Sequence, residues 1–222
     1  MRSVKHLRSP FIVAAIAALS LGIAACSDST GPTTLRTGPD SASEGVVSAG
    51  VSGPTILKFR RGAPQLDQSS ISFYAKKGQL TTMSMYFRTA SGGRGAEYAR
   101  LVIPSAGLQE RPDGTPIAFG DSVLITVSAP NTTQLLLRME PHGLKFSPLA
   151  PARLTMRYNE ADRDFNSDGS IDLADALIEL RLAVWRQPLL GDPFMALSSL
   201  LDRLFSSVSA DLRGFSQYVI AY

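Results

Sequence analysis

The fold is decided by the stretch Asp121-Ser-Val-Leu-Ile-Thr-Val-Ser-Ala-Pro-Asn-Thr-Thr-Gln-Leu-Leu-Leu-Arg-Met139. Apolar residues occupy every second position on both sides of the turn-forming pair Pro130-Asn131. Because successive side chains of a strand point to opposite faces, such alternation gives each strand one apolar face. The stretch therefore predicts two strands of an antiparallel sheet. The alternating residues are Val123, Ile125 and Val127 before the turn and Leu135, Leu137 and Met139 after it.

The same alternation recurs along most of the chain. It appears in residues 154–158, 178–184, 208–212 and 218–222. Outside the first 25 residues, no sustained apolar repeat of 3.6 residues competes with it. Short alternating runs separated by turns of Gly, Pro and Asn predict an all-β protein, an antiparallel sandwich or barrel. Earlier strands are predicted at residues 56–59, 70–75, 80–88 and 99–104.

The first 25 residues differ from the rest of the chain. Basic residues at Arg2, Lys5 and Arg8 precede an apolar run of 15 residues from Phe11 to Ala25. That run is shorter than the roughly 20 residues that a helix needs to span a bilayer. A basic start, a short apolar segment and small residues at its end are typical of a secretory signal peptide. We therefore expect residues 1–25 to be a removable leader.

Cys26 is the only cysteine of the chain. Together with the preceding Ile23-Ala24-Ala25, it resembles the lipobox at which bacterial lipoproteins are cut and acylated. The alternative is an ordinary secretory signal or anchor with an incidental cysteine. Lipidation of Cys26 predicts membrane attachment and leaves no thiol for an internal disulfide. Ser27 is not the aspartate that often retains lipoproteins at the inner membrane, so the outer membrane is the expected address, facing the periplasm or the cell surface.

Residues 26–53 are rich in Ser, Thr, Gly and Pro. Such a segment buries too little apolar surface to offset its ordering entropy, and it is therefore predicted to be a flexible tether before a folded domain of residues 54–222. Removal of the leader takes away three of the 22 Lys and Arg residues and none of the 19 Asp and Glu residues, which leaves 19 of each sign. A mature chain without net charge or a basic face is not expected to bind nucleic acid.

Several short motifs resemble ZU-5 domains, which occur in ankyrins, netrin receptors and zonula occludens proteins. Ala99-Arg-Leu-Val-Ile-Pro-Ser-Ala-Gly-Leu108 is similar to one strand segment of that family. Gly143-Leu-Lys-Phe146 with Pro151 and the following strand is similar to a second segment, and residues 208–222 resemble the family's final strands. The resemblance covers residues 71–222. It implies a β-sandwich used for structure or protein–protein contact, not for catalysis.

Some ZU-5 proteins cleave themselves at a His-Phe-Ser tripeptide. This chain has Gly214-Phe215-Ser216 at the corresponding place. Glycine cannot assist the attack of the serine hydroxyl, so base activation of the nucleophile is missing. We therefore expect no self-cleavage and interpret Ser216 as an outward hydroxyl on the last strand.

Residues 164–175, here called the acidic loop, carry the sharpest chemical motif. The loop fits the twelve-residue calcium loop of EF-hands, with oxygen side chains at positions 1, 3, 5, 9 and 12 and Gly169 at position 6. Ca²⁺ is a hard cation that takes six to eight oxygens. The loop is therefore predicted to bind Ca²⁺ within the sandwich. The predicted ligands are Asp164, Asn166, Asp168, Ser170 through its backbone carbonyl, Asp172 and Asp175.

The acidic loop departs from the EF-hand pattern in two ways. Position 12 is Asp175, which resembles dockerin modules more than calmodulin-type hands, and the chain has one loop where dockerins have a pair. Residues 177–186 alternate like a strand, although Leu173, Leu177 and Leu180 could also form a brief helical turn. The alternative to a metal site is an acidic, solvated turn.

The sequence offers few residues for catalysis. His142 is the only histidine outside the leader, in the turn Pro141-His-Gly143, and a Ser-His-Asp arrangement would have to use it. Trp185 is expected to be a core residue, with a ligand platform as the alternative. We therefore expect a calcium-stabilised structural or protein-interaction lipoprotein that is not an enzyme and whose partner the sequence does not identify. The alternatives are a dockerin-like docking module and a cell-surface enzyme acting on glycans.

Overall fold

The computed structural model describes residues 53–222, so Cys26, the predicted leader and nearly all of the predicted tether lie outside the described residues. Within them, the secondary structure is almost entirely strand, with one short helix. The elements are β1 (Ser70–Lys76), β2 (Thr81–Arg88), β3 (Arg94–Ile103), β4 (Leu108–Glu110), β5 (Ser122–Ser128), β6 (Leu136–Glu140), β7 (Lys145–Phe146), β8 (Ala152–Arg157), α1 (Leu173–Glu179), β9 (Ala183–Gln187), β10 (Met195–Ala196), β11 (Ser199–Asp202), β12 (Ser207–Leu212) and β13 (Gln217–Ala221).

The strands form two large antiparallel sheets that pack face to face. One sheet has the strand order β1-β5-β6-β13-β9-β10, and the other has the order β11-β12-β8-β3-β2. A small two-stranded sheet, β4-β7, lies beside them. The prediction of an all-β antiparallel sandwich is therefore confirmed.

The stretch that predicted the fold forms two neighbouring strands. β5 pairs with β6, and Val127 lies opposite Met139. The six alternating apolar residues of this stretch are at most 5% exposed. They face the inside of the sandwich together with alternating residues of the opposite sheet, among them Leu154, Met156 and Val208. One continuous core thus connects the two sheets.

β13 is buried on both faces. Tyr218 and Ile220 belong to the main core between the sheets. Val219 and Ala221 point to the other face of the sheet, where they form a second cluster with Leu136. Trp185 packs on that second cluster, so it covers the outer face of the sheet and is not part of the main core. Ile56 and Phe194 complete the cover.

The strand predicted across residues 178–184 is wrong in its first half. Residues 173–179 form helix α1, with Leu180 as its C-cap, so the alternative of a brief helical turn is confirmed. The strand that follows, β9, begins only at Ala183. Asp172 caps the helix and Asp175 completes a capping box, which fixes the first helical turn. Leu180, counted in the predicted apolar face, is 57% exposed. Local capping thus outweighs the period-two pattern here.

The strand predicted at residues 56–59 is replaced by a series of isolated bridges. Ile56 pairs with Ala221, Lys58 with Gln134, and Phe59 with Ala161. Because this segment changes its partner at almost every residue, it does not form a continuous ladder. It nevertheless ties the start of the described chain to the core.

We expect Leu137→Ala to lower the free energy of unfolding by about 2–5 kcal/mol, because it leaves a cavity between the sheets. Leu149→Ala is the matched control, since Leu149 is 97% exposed whereas Leu137 is fully buried. The control should stay within about 0.5 kcal/mol of the unsubstituted chain. Urea unfolding followed by fluorescence measures both. Equal losses would contradict the placement of Leu137 in the core.

Candidate functional site

The acidic loop lies between β8 and α1, and its last three residues form the first turn of the helix. Two of its residues have a left-handed backbone, Ser167 with φ of 61° and Gly169 with φ of 89°. Glycine adopts this conformation at little cost, which explains its place at the sharp turn of the loop. The loop therefore folds back on itself over a few residues.

The first half of the loop wraps around its own side-chain oxygens. Asp164 accepts hydrogen bonds from the backbone N–H of Asp168 at 3.0 Å and of Gly169 at 2.8 Å. Asp168 accepts from the N–H of Ser170 at 2.8 Å and from the side-chain amide of Asn166 at 2.7 Å. Three predicted ligands, Asp164, Asn166 and Asp168, are thus held in one tight turn.

The second half of the loop is closed by a capping box. The Asp172 carboxylate accepts from the N–H of Ala174 at 2.8 Å. Asp175 Oδ2 in turn accepts from the N–H of Asp172 at 3.0 Å. Asp175 Oδ1 reaches back to the start of the loop, where it accepts from the N–H groups of Phe165 at 2.6 Å and Asn166 at 3.2 Å. Asp175 therefore joins the two ends of the loop.

Asp175 is buried, with 2% of its surface exposed. Hydrogen bonds from backbone N–H groups, led by that of Asp172, lower the pKa of its carboxyl below the ordinary value. A carboxyl whose pKa is lower in the folded than in the unfolded state stabilises the fold above its unfolded pKa of about 3.9. That stabilisation is lost as the pH falls through the lower folded pKa. The closure of the loop is therefore sensitive to acid.

The atoms that the loop offers as metal ligands are all oxygens. Within residues 53–222, no N–H donates to the Ser170 carbonyl, the atom that position 7 would offer to a cation. Each carboxylate oxygen of Asp164 and Asp168 accepts one hydrogen bond and keeps a second lone pair, whereas Asp175 Oδ1 already accepts two. This chemistry fits a hard cation such as Ca²⁺ and does not fit Zn²⁺, which favours Cys and His. Across the described part of the chain, no group of three or more His, Cys, Asp and Glu side chains is arranged to hold a metal ion.

Helix α1 is fixed to the sandwich by a second buried carboxylate. Glu179 is 6% exposed. Its Oε1 accepts from the Tyr158 hydroxyl at 3.0 Å and from Arg163 at 3.1 Å, and its Oε2 accepts from Arg203 at 3.0 Å. Burial of the Glu179 carboxylate is tolerated because these three side chains donate hydrogen bonds to it. Burial, followed by the neighbouring Glu179, raises the pKa of the Tyr158 hydroxyl above its ordinary range, so Tyr158 stays a donor.

The loop contacts Tyr222, which in turn pairs with the segment that begins the described chain. Phe165 is buried and packs edge-to-face on Tyr222, with the ring centres 6.3 Å apart. The Tyr222 hydroxyl donates to the Phe165 carbonyl. Tyr222 exchanges two backbone hydrogen bonds with Thr55, at 3.1 and 3.3 Å. The acidic loop is therefore close to the point at which the predicted tether enters the sandwich.

Glu179, Arg163 and Arg203 are not among the residues that the sequence motifs single out. The spacing of Asp175 and Glu179, four residues apart, was the available signal, because such residues share one face of a helix. A helix with two acids on one face and leucines on the other could be oriented either way. Only the arginines, 16 residues before and 24 after Glu179, decide that the acids point inward.

Ser216 is buried, with 1% of its surface exposed, so its interpretation as an outward hydroxyl is wrong. Its Oγ accepts a hydrogen bond from Arg186 Nε at 2.9 Å. A guanidinium does not take a proton at neutral pH. A Cβ added at Gly214 would lie 2.9 Å from the Leu144 carbonyl, so the backbone leaves no room there for a side chain. The contacts of Ser216 therefore provide no base.

His142 lies in the predicted turn, where Nε2 contacts the Pro188 carbonyl. It lines a cavity of about 270 Å³ together with Ser216, but their hydrogen bonds go to different partners. Trp185 is half-buried, and its indole N–H donates to the Ala221 carbonyl at 3.1 Å. That bond holds the ring against the sheet.

The fold and the loop together define a class, an antiparallel β-sandwich with an acidic loop and a short helix inserted between two strands. Comparisons with protein-family models, with curated proteins and with solved structures give no match to this chain. The ZU-5 resemblance therefore stays a prediction. Among residues 53–222, no helix has the length and apolar character needed to cross a membrane.

We expect Glu179→Gln to lower the free energy of unfolding by about 1–3 kcal/mol, because two arginines then face a neutral amide. The half-exposed arginines keep the loss moderate, since solvent screens them. The matched control is Asp211→Asn, whose pair with Arg153 is half exposed on both sides and should cost less than about 1 kcal/mol. Denaturant unfolding compares the two. A larger loss for the control would contradict the anchoring role of Glu179.

Proposed function

We propose that this chain is a lipid-anchored structural or protein-interaction module without catalytic activity, whose sandwich is stabilised by Ca²⁺ bound in the acidic loop. One observation carries the proposal. Asp175 closes the loop around its own oxygen-bearing side chains and lies on the same helix as Glu179, which is fixed to the core. An ion held by this loop would therefore stabilise the connection between the loop, helix α1 and the sandwich.

In this proposal, six residues hold the ion, five through side chains and one through its backbone. Four of the side chains are carboxylates, which repel one another when they are crowded into twelve residues. Ca²⁺ supplies two positive charges that relieve this repulsion. The proposed ligands are Asp164, Asn166, Asp168, the Ser170 carbonyl, Asp172 and Asp175.

The chain's own residues prepare the loop before any ion binds. The N–H groups of Asp168 and Gly169 orient the Asp164 carboxylate. The capping box fixes Asp172 and Asp175 relative to each other. Because these contacts restrict the loop in advance, less ordering entropy opposes binding. The contacts support a loop whose backbone is ordered before an ion binds.

We expect Ca²⁺ to raise the melting temperature of the protein. Extracellular calcium modules bind with a Kd on the order of 10⁻⁴–10⁻³ M. At a free calcium concentration about ten times Kd, mass action adds roughly 1.4 kcal/mol, or about 3–6 °C for a domain of this size. Thermal melts with calcium and with a chelator measure this rise.

The variant Asp168→Asn should abolish the calcium-dependent rise while it keeps a side-chain acceptor for the N–H of Ser170. The matched control is Asp113→Asn, because Asp113 also accepts from the N–H two residues on, at 2.9 Å, but lies outside the loop. It should leave the rise intact. Identical melts of the unsubstituted protein with calcium and with chelator, together with no heat of calcium binding, would show that the loop is an acidic turn that binds no calcium.

The membrane part of the proposal rests on Ile23-Ala24-Ala25-Cys26. A diacylglyceryl group on Cys26 would hold the sandwich at the outer membrane through residues 27–53. Mass spectrometry of the mature protein should find a lipid-modified Cys26 at the amino terminus. Cys26→Ala should lose both that modification and the membrane association, whereas Ser29→Ala should lose neither. An unmodified amino terminus at another residue of the natural chain would contradict the anchor.

A further inference from the structure

A cavity of about 600 Å³ lies beside the segment 63–69, which leads into β1. Leu66 of this segment pairs with Phe87 near the end of β2. The Ser69 carbonyl accepts from the N–H of Ala129, just after β5, at 2.8 Å. Because β2 and β5 belong to different sheets, the cavity lies where the chain crosses from one sheet to the other. It is here called the edge cleft and is formed by Phe59 and the segments 63–69, 87–88 and 129–132.

Part of the edge cleft is apolar. Phe59 and Phe87 both line it, and their rings pack edge-to-face with centres 5.9 Å apart. Phe59 also packs on the ring of Tyr98 at 5.8 Å. These contacts hold the Phe59 ring in place while part of it stays exposed. A fixed and partly exposed ring offers a ligand a flat apolar surface.

The edge cleft also offers polar side chains that have few partners of their own. Gln65, Ser69 and Thr132 are exposed there, and within residues 53–222 their side chains make no hydrogen bond. The Asp67 carboxylate is 26% exposed, and both of its ion pairs are 3.8 Å long, which is beyond hydrogen-bond distance. These four side chains therefore keep donors and acceptors for a ligand.

Backbone groups of the same segment are already used. The Gln65 carbonyl accepts from the N–H of Arg88 at 2.7 Å. The N–H of Asp67 donates to the Tyr86 carbonyl at 2.9 Å. These bonds occupy the strand edge to which an extended peptide would otherwise add. The edge cleft therefore offers a ligand mainly side chains.

The charges around the edge cleft balance each other. Among the residues that line it, Asp67 is the only acid and Arg88 the only base, and the two form an ion pair. This balance favours a neutral ligand, because an ion would compete with a pair that is already formed. A sugar is neutral and combines many hydroxyls, which both donate and accept, with C–H groups that can cover an aromatic ring.

We propose that the edge cleft binds a neutral oligosaccharide. One sugar ring lies against Phe59, while its hydroxyls donate to the Asp67 carboxylate and exchange hydrogen bonds with Gln65 and Thr132. The cavity volume falls in the range of about 300–1,000 Å³ that is usual for ligand sites. The cleft binds without cleaving, because hydrolysis of a glycosidic bond usually needs two carboxylates and Asp67 is the only one lining it. This proposal depends neither on calcium nor on the lipid.

The test is isothermal titration calorimetry of the full chain with neutral tetrasaccharides of glucose, mannose, galactose, xylose and N-acetylglucosamine. The protein is kept in a polyoxyethylene detergent, whose head group carries no sugar. At least one tetrasaccharide should bind with a Kd on the order of 10⁻⁴ M, because each hydrogen bond to the ligand replaces one to water. A chelator should leave this Kd unchanged. In ¹H–¹⁵N NMR spectra, the same sugar should shift the amides of residues 63–69 and 129–132 and not those of residues 164–175.

Two substitutions in the edge cleft should weaken binding. Asp67→Asn should raise the Kd about fivefold, because an amide oxygen accepts less strongly than a carboxylate. Gln65→Ala should raise it about threefold, because the hydrogen bonds of the side-chain amide are lost. The matched controls are Asp113→Asn and Gln79→Ala, which change exposed residues outside the edge cleft and should leave the Kd unchanged. Unchanged melting temperatures show that all four variants fold.

Three results would overturn the proposal. The first is no saturable binding of any of these tetrasaccharides at about 10 mM. The second is a Kd that neither Asp67→Asn nor Gln65→Ala changes, or amide shifts that lie outside the edge cleft. The third is tighter binding of tetragalacturonate, a negatively charged sugar, which would contradict a neutral ligand.

Discussion

The burial of two carboxylates on one side of α1 is the constraint on which the candidate site depends. Without the N–H groups that Asp175 accepts from, and without the Tyr158, Arg163 and Arg203 donors to Glu179, burying these charges would be unfavourable. With them, the helix turns its acids inward and its leucines outward. The same contacts join the two ends of the acidic loop and fix the loop to the sandwich.

The sandwich and the loop are stabilised in different ways. The sandwich relies on apolar faces packed between two sheets, from Ile125 and Leu137 on one side to Leu154 and Met156 on the other. That core is large and apolar. The acidic loop relies instead on directional hydrogen bonds and charge. A rigid β scaffold that presents a polar loop is a common way to place a binding site, and here the loop lies beside the entry of the predicted tether.

Much of the fold was predictable because the apolar faces repeat every second residue. Val123, Ile125, Leu135 and Leu137 all face inward as the alternation requires. The helix was predictable only as an alternative, because Leu173, Leu177 and Leu180 also have the spacing of a helical turn. Residues 178–184 alternate like a strand. The other pattern that favours a helix, the Asp172–Asp175 capping box, consists of only two residues.

The loop could be recognised from its twelve residues. The contacts that hold it in place could not be predicted from them. Glu179 meets Arg163 and Arg203 only after the chain has folded, since one comes from the segment before the loop and the other from the turn after β11. The burial of Ser216 beside Arg186 is likewise a tertiary contact. Short-range patterns describe what a segment can do alone, and these contacts depend on partners 16 to 30 residues away.

The most direct test of a calcium-binding loop anchored by buried carboxylates is a two-dimensional ¹H–¹⁵N NMR titration with calcium. If the loop binds calcium, the shifts should saturate and be confined to the amides of residues 164–175 and the start of α1. The Gly169 amide, which donates to Asp164 at 2.8 Å, should be among the most affected, while the sandwich amides stay in place. Shifts that never saturate and that spread over exposed carboxylates across the domain would contradict a specific calcium site in the loop.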